Sequence, residues 1–184
     1  MKQVLSRTST LFSLVFVAAL AGCASGVTRM DAPAGSTAAA APVAAPAKVV
    51  KSVSLWLNDD ARKLLADNLK FNPDTLKSTV ERALSAQGAV KADATQQLDI
   101  EITNFRVRSN FSAIMFGFMA GNDNVEGVVT LKDGDGKVLR RGKVSASYAL
   151  GGIGGGQDDA RMGWLYEEFA KHAAAEVVGA PVAK

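Results

Sequence analysis

The 184 residues carry 21 Lys and Arg against 18 Asp and Glu, and without residues 1–22, which hold Lys2 and Arg7, 19 basic side chains face 18 acidic ones. A near-neutral chain of this kind lacks the clustered basic excess that nucleic-acid binding through phosphates requires, and its single His and single Cys exclude His/Cys metal clusters and intrachain disulfides by counting. The apolar excess sits mostly before residue 23 and in an Ala/Pro tract behind it, so the chain has material for one folded unit, not two.

Met1, Lys2 and Arg7 form a basic start, and Leu11 to Leu20 an apolar run, followed by the small residues Ala21 and Gly22. This order is that of a secretory signal over residues 1–22. The run stops after about a dozen residues, short of the roughly 20 that a transmembrane helix needs.

Leu20-Ala21-Gly22-Cys23 resembles the lipobox of bacterial lipoproteins at all four positions. The resemblance implies diacylglycerol on the Cys23 thiol, cleavage before Cys23 and acylation of the new amine. With about 0.8 kcal/mol per buried methylene, three acyl chains hold a protein firmly where one binds reversibly. Ala24 in place of Asp resembles the pattern sent to the outer membrane, so the expected location is a lipid anchor on the periplasmic side of that membrane. The acyl chains on Cys23 are the only added group expected, and no cofactor is.

Residues 24–48, ASGVTRMDAPAGSTAAAAPVAAPAK, contain Pro33, Pro42 and Pro46 and almost no large side chain. Such text buries too little surface to offset its ordering entropy, and residues 23–48 are expected to be a flexible tether. As a coil it spans about 28 Å and extended about 78 Å, letting the domain stand well off the membrane. A chain beginning near Val49 is then expected to melt at the same temperature as one beginning at Ala24.

The folded unit is expected over residues 49–180, with a tail at 181–184. Val53, Leu55 and Leu57 alternate with polar neighbours as in a half-buried strand. Asn58 to Asp60 offer a cap for a short helix through Leu64, Leu65 and Leu69. Asn72, Pro73 and the pair Phe71 and Leu76 mark a second helix start, and Leu76, Val80, Ala83 and Leu84 make its stripe as far as Gly88. Leu98, Ile100 and Ile102 alternate, and Phe105 and Val107 continue on the opposite parity, which predicts a bulge near Thr103 and Asn104. Val125 to Leu131 and Val138 to Tyr148 form a hairpin around Asp133 to Lys137; pairing Leu131 with Val138 sets Gly127 opposite Gly142. Met162, Leu165, Phe169, Ala173 and Val177 line a final helix that stops at Gly179.

The expected fold is α+β: a two-layer β-α-β-β-β-α sandwich with a mixed, mostly antiparallel four-stranded sheet and two helices on one face. In architecture this resembles small periplasm-facing lipoproteins, among them the lipopolysaccharide-assembly lipoprotein and the amino-terminal domain of TolB. No functional residue is carried over from them.

Familiar catalytic patterns do not match. Asp133-Gly134-Asp135-Gly136 begins like a calcium loop, but Lys137 and Val144 stand at its fifth and twelfth positions. The glycines at 151–156 lack the following Lys of a phosphate loop, and Asp158 and Asp159 disfavour an anion there. His172, one turn from Glu168 and Glu176, reads as part of a solvated helix face; no metal site and no enzymatic activity are expected.

Phe111 to Gly121 holds three of the eight Phe and two of the five Met. It reads either as buried core or as a contact surface formed by Phe111, Ile114, Met115, Phe116, Phe118 and Met119. The loops 111–121 and 151–156 fall at one end of the sheet, and the tether is expected at the other. An apolar rim facing away from its own membrane suggests docking of an envelope protein partner. The expected function is therefore a non-enzymatic accessory or interaction subunit of the cell envelope, the alternative being a lipid- or lipopolysaccharide-handling transport module with a lipid ligand at the same residues.

Overall fold

The computed structural model describes residues 25–30, 49–68, 70–109, 115–116, 121–149 and 158–179. In chain order the elements are β1 (Gly26–Arg29), β2 (Ser52–Leu57), α1 (Asp59–Asp67), α2 (Pro73–Ala86), β3 (Gln97–Arg106), β4 (Asp123–Lys132), β5 (Val138–Tyr148) and α3 (Asp158–Val178). The strands form one five-stranded sheet in the order β1-β5-β4-β3-β2. Among the described strand pairs, β2 and β3 run parallel and the others antiparallel.

The α+β class and mixed sheet expected from the sequence are present, with five strands and three helices among the described residues in place of four and two. The helix beyond the pair on one face is α1, the short helix expected after Asn58, whose side chain caps it by accepting from the Ala61 N–H at 2.9 Å. The added strand is β1, four residues from the stretch read as tether. Composition hid it because a short edge strand owes its order to a distant partner: Val27 lies opposite Val144 and Arg29 opposite Gly142. Residues 31–48 lie outside the described residues.

The direction of β1 changes the meaning of that stretch. Gly26 pairs with Ser145 and Arg29 with Gly142, so β1 starts toward the end of the sheet that holds Asp123 and Tyr148 and runs toward the end that holds Gln97 and Lys132. There Met30 donates to the Arg141 carbonyl at 3.1 Å, and β2 begins with Ser52 opposite Gln97. Residues 31–48 therefore join the two outer strands of one sheet at its Gln97 end. A chain beginning at residue 49 should then melt several degrees below one beginning at Ala24, a loss of about 1 kcal/mol or more in a domain of this size, because β5 loses its cover and becomes an open edge. Equal midpoints in thermal scans of the two chains would show that β1 adds nothing to stability.

The bulge falls where the parity break predicts it, between Ile102 opposite Gly127 and Asn104 opposite Glu126. The hairpin register differs from the expected one by two residues: Leu131 faces Arg140, Gly127 faces Val144, and a second irregularity lies between Leu131 and Lys132. A shift of two keeps every side chain on its own face. The Asp133 carboxylate, which accepts from the N–H groups of Asp135 and Lys137 at 3.1 and 2.8 Å, holds the wider turn.

Inward side chains of the strands, including Leu98, Ile100, Ile102, Val125, Val129, Val144 and Ala146, meet α2 and α3 in one core. The α2 cap is as expected: Asn72 Oδ1 accepts from the Thr75 N–H at 2.9 Å, Pro73 opens the helix, and Gly88 follows it at a φ of 64°. Phe71 stacks on Phe105 with ring centroids 4.1 Å apart and meets Tyr166 edge-on. This ties the start of α2 to β3 and α3.

Candidate functional site

The strand directions gather chemistry at the Asp123 end of the sheet, where β3 stops, β4 starts, β5 ends and α3 begins. Asp123 lies on the inward parity of Val125, Val129 and Leu131, so alternation alone delivers a carboxylate into the core. Its side chain is 0% exposed and that of Arg108 1%. Asp123 Oδ2 accepts from Arg108 Nη2 at 3.0 Å, and Oδ1 accepts from Arg108 Nε at 3.3 Å and from the Arg108 N–H at 2.7 Å. Arg161, one turn before Leu165 on the inner stripe of α3, places Nε 3.6 Å from the same carboxylate and donates from Nη2 to the Arg108 carbonyl at 3.2 Å.

Arg108 also donates to the carbonyls of Gly121 at 2.7 Å and Tyr148 at 3.4 Å. Asp123 and its two guanidiniums thus fasten β3, β4, β5 and α3 together where the two long loops leave the sheet. Desolvated charges in mutual contact form a brace, and the carboxylate is spent on structure. The sequence signal for this cluster was ionisable residues placed on apolar parity.

The same end presents exposed aromatic surface, and the segment between β3 and β4 that leaves from it carries two exposed apolar side chains. Met115 is 64% exposed and Phe116 57%. Phe111, Ile114, Phe118 and Met119 lie outside the described residues, as do Cys23 and its flanking Leu20, Ala21 and Gly22. Trp164, on the first turns of α3, is 42% exposed and packs against half-buried Tyr148 with ring centroids 4.9 Å apart. Nothing in the sequence pattern singles out this pair. Ser25 is there as well: its Oγ accepts from the Ser147 N–H at 3.0 Å, next to Tyr148 at the top of β5. The segment after Cys23 and the apolar end of the sheet are therefore neighbours. The expectation that they occupy opposite poles fails because it took β2 for the first strand.

His172 is the second correction. It is 2% exposed, because α3 packs against α2, β4 and β5 and buries most of its circumference from Phe169 to Val177. Its Nε2 stands 3.1 Å from Glu168 Oε1 without hydrogen-bond alignment, and Glu176, also buried, pairs with Arg140 at 3.9 Å. Among the described residues no three His, Cys, Asp or Glu side chains are grouped to hold a metal ion. Burial pushes the His172 pKa below its ordinary 6.5, with Glu168 pulling more weakly the other way.

The folded state then binds fewer protons at His172 than the unfolded chain. Its contribution is complete above about pH 6.5 and is lost as pH falls below that value. Melting temperature should drop between pH 7.5 and 5, and His172→Gln should flatten the drop; an unchanged slope in the variant would assign the pH dependence to other groups.

The sequence pattern of a domain of unknown function, DUF4410, matches residues 27–152, well over half of the chain. The chain belongs to this family. The DUF4410 match begins inside β1 and runs through β5, so the family's sequence pattern includes the edge strand that composition assigned to a tether. No curated protein matches the chain. Among solved structures it is similar to the PelC dodecamer from Paraburkholderia phytofirmans in two crystal forms. A point variant gives 13% identity over 82% of this chain and 96% of that one, with a TM-score of 0.48; the other form gives 13%, 79%, 96% and 0.43. A minor lipoprotein from Acinetobacter baumannii is similar at 13% identity over 70% of this chain and 93% of its own, with a TM-score of 0.35.

Proposed function

We propose that this DUF4410 protein is a non-catalytic lipoprotein of the bacterial envelope, held by acyl chains on Cys23 in the outer membrane on its periplasmic side and acting as an accessory or interaction subunit there. The lipobox resemblance of Leu20 to Cys23 supports the anchor. The observation that carries the reading is the bond between Ser147 and Ser25, because it makes the residues just behind the acylated Cys part of the folded sheet. An anchor joined to the sheet in this way delivers a fixed orientation, which suits a subunit that presents surfaces to neighbours.

Cys23→Ser tests the anchor. Metabolic labelling with palmitate and fractionation of cells should find wild type labelled and in the outer membrane, and the variant unlabelled and retained as an uncleaved precursor. A variant that is processed and as membrane-bound as wild type would refute the lipoprotein reading.

A further inference from the structure

We infer that the Asp123 end of the domain is a membrane-contacting face, seated on the same lipid surface that holds the acyl chains of Cys23; this rests on the anchoring proposed above. Ala24 alone separates Cys23 from Ser25, and Ser25 is fixed to Ser147 at the top of β5. Two residues reach at most about 7 Å, so an anchor on Cys23 would hold the Tyr148 end of the domain close to the lipid. The domain has no long tether with which to stand off, and whatever surrounds Tyr148 must meet the bilayer interface.

What surrounds it suits that contact. Exposed Trp164 packs on Tyr148, and Trp and Tyr prefer the headgroup level, where a ring is half in hydrocarbon and its polar atom stays wet. Met115 and Phe116, on the segment between β3 and β4 that leaves from the same end, are the most exposed large apolar side chains among the described residues. Left in water, these exposed side chains are apolar surface without cover; laid against the anchor's own leaflet, they add interfacial burial to the hold of the acyl chains. The brace of Asp123, Arg108 and Arg161 keeps the sheet end behind the contact rigid. The surface expected from the sequence to dock a protein is thus assigned to lipid.

The two tryptophans provide the measurement. Trp56 lies opposite Glu101, which lies opposite Val128, five residues from Asp123 along β4. It therefore sits about 17 Å below the proposed contact at 3.3–3.4 Å per residue. The full acylated protein, with the acyl groups checked by mass spectrometry, is reconstituted into phosphatidylethanolamine and phosphatidylglycerol vesicles whose chains carry bromine. With Trp56→Phe, emission from Trp164 should fall by about half relative to unbrominated vesicles, as expected for a ring at the headgroup and acyl boundary. With Trp164→Phe, emission from Trp56 should not change. Adding Phe116→Asp and Met115→Asp to the Trp56→Phe chain should reduce the quenching only in part, because the acyl chains still hold the Tyr148 end at the interface.

An acylated chain in which Trp164 is not quenched, or in which both rings are quenched equally, overturns the membrane face and leaves the anchor standing. A photocrosslinker at position 116 that captures protein and not lipid in cells does the same. A chain without acyl groups overturns both readings.

Discussion

Replacing Asp123 by Asn should destabilise the domain by about 3–5 kcal/mol, because removing one partner of a buried charge cluster leaves the remaining charges uncompensated. The substitution keeps volume and shape, so little of the loss comes from a cavity. The bidentate pairing with Arg108 and the approach of Arg161 both depend on the carboxylate charge, and the variant would bury two guanidiniums around a neutral amide. Arg161→Met should cost less, since Asp123 then keeps its closer partner. Urea unfolding of the three chains checks this order through shifts in midpoint at constant slope. A loss below about 1 kcal/mol for Asp123→Asn would place the cluster in the range of exposed ion pairs and show that water reaches it. Because the brace supports the end of the sheet next to Trp164, the same variant should also loosen the orientation of any surface held there.

What the sequence disclosed follows from how local each signal is. The α2 start was legible because Asn72, Pro73 and Phe71 act within one turn, and the β3 bulge because a change of parity inside one strand is visible without its neighbours. The β4 and β5 faces were legible for the same reason, although their register was not: it depends on how Asp133 folds the turn. Strand β1 was hidden, since Gly-Val-Thr-Arg carries no pattern of its own and is ordered by the edge of β5 more than a hundred residues away. The placement of the segment after Cys23 was lost with it. His172 was misread because a helix in contact with a sheet and a second helix buries polar positions that a two-sided pattern assigns to solvent. Asp123 was readable in principle, as a carboxylate in an otherwise apolar inward series, but alternation says only that such a group is buried and not what neutralises it.

Phe169→Ala should cost about 3–5 kcal/mol, at the upper end for a core aromatic, because the strand beneath it cannot close the gap. Phe169 is 0% exposed and lies over Gly127 of β4, where a Cβ would come within 3.2 Å of the ring's Cζ and 2.9 Å of the Glu101 carbonyl oxygen. The glycine lets α3 sit close to the sheet, and the ring fills the space above it. Neither position can be changed without affecting the other. Gly127→Ala alone should destabilise by about 1–3 kcal/mol through overpacking, since the carbonyl of a paired strand has little freedom to retreat. Combined with Phe169→Ala, the added methyl occupies part of the vacated volume, and the double variant should be more stable than the sum of the single losses predicts by about 0.5–3 kcal/mol, the range for residues in contact. Denaturant midpoints of the four chains give that coupling directly. A coupling of zero would mean that Gly127 is required by the Glu101 carbonyl and the Ile102 side chain and not by the ring, and that the seat of α3 on the sheet is set elsewhere along the helix.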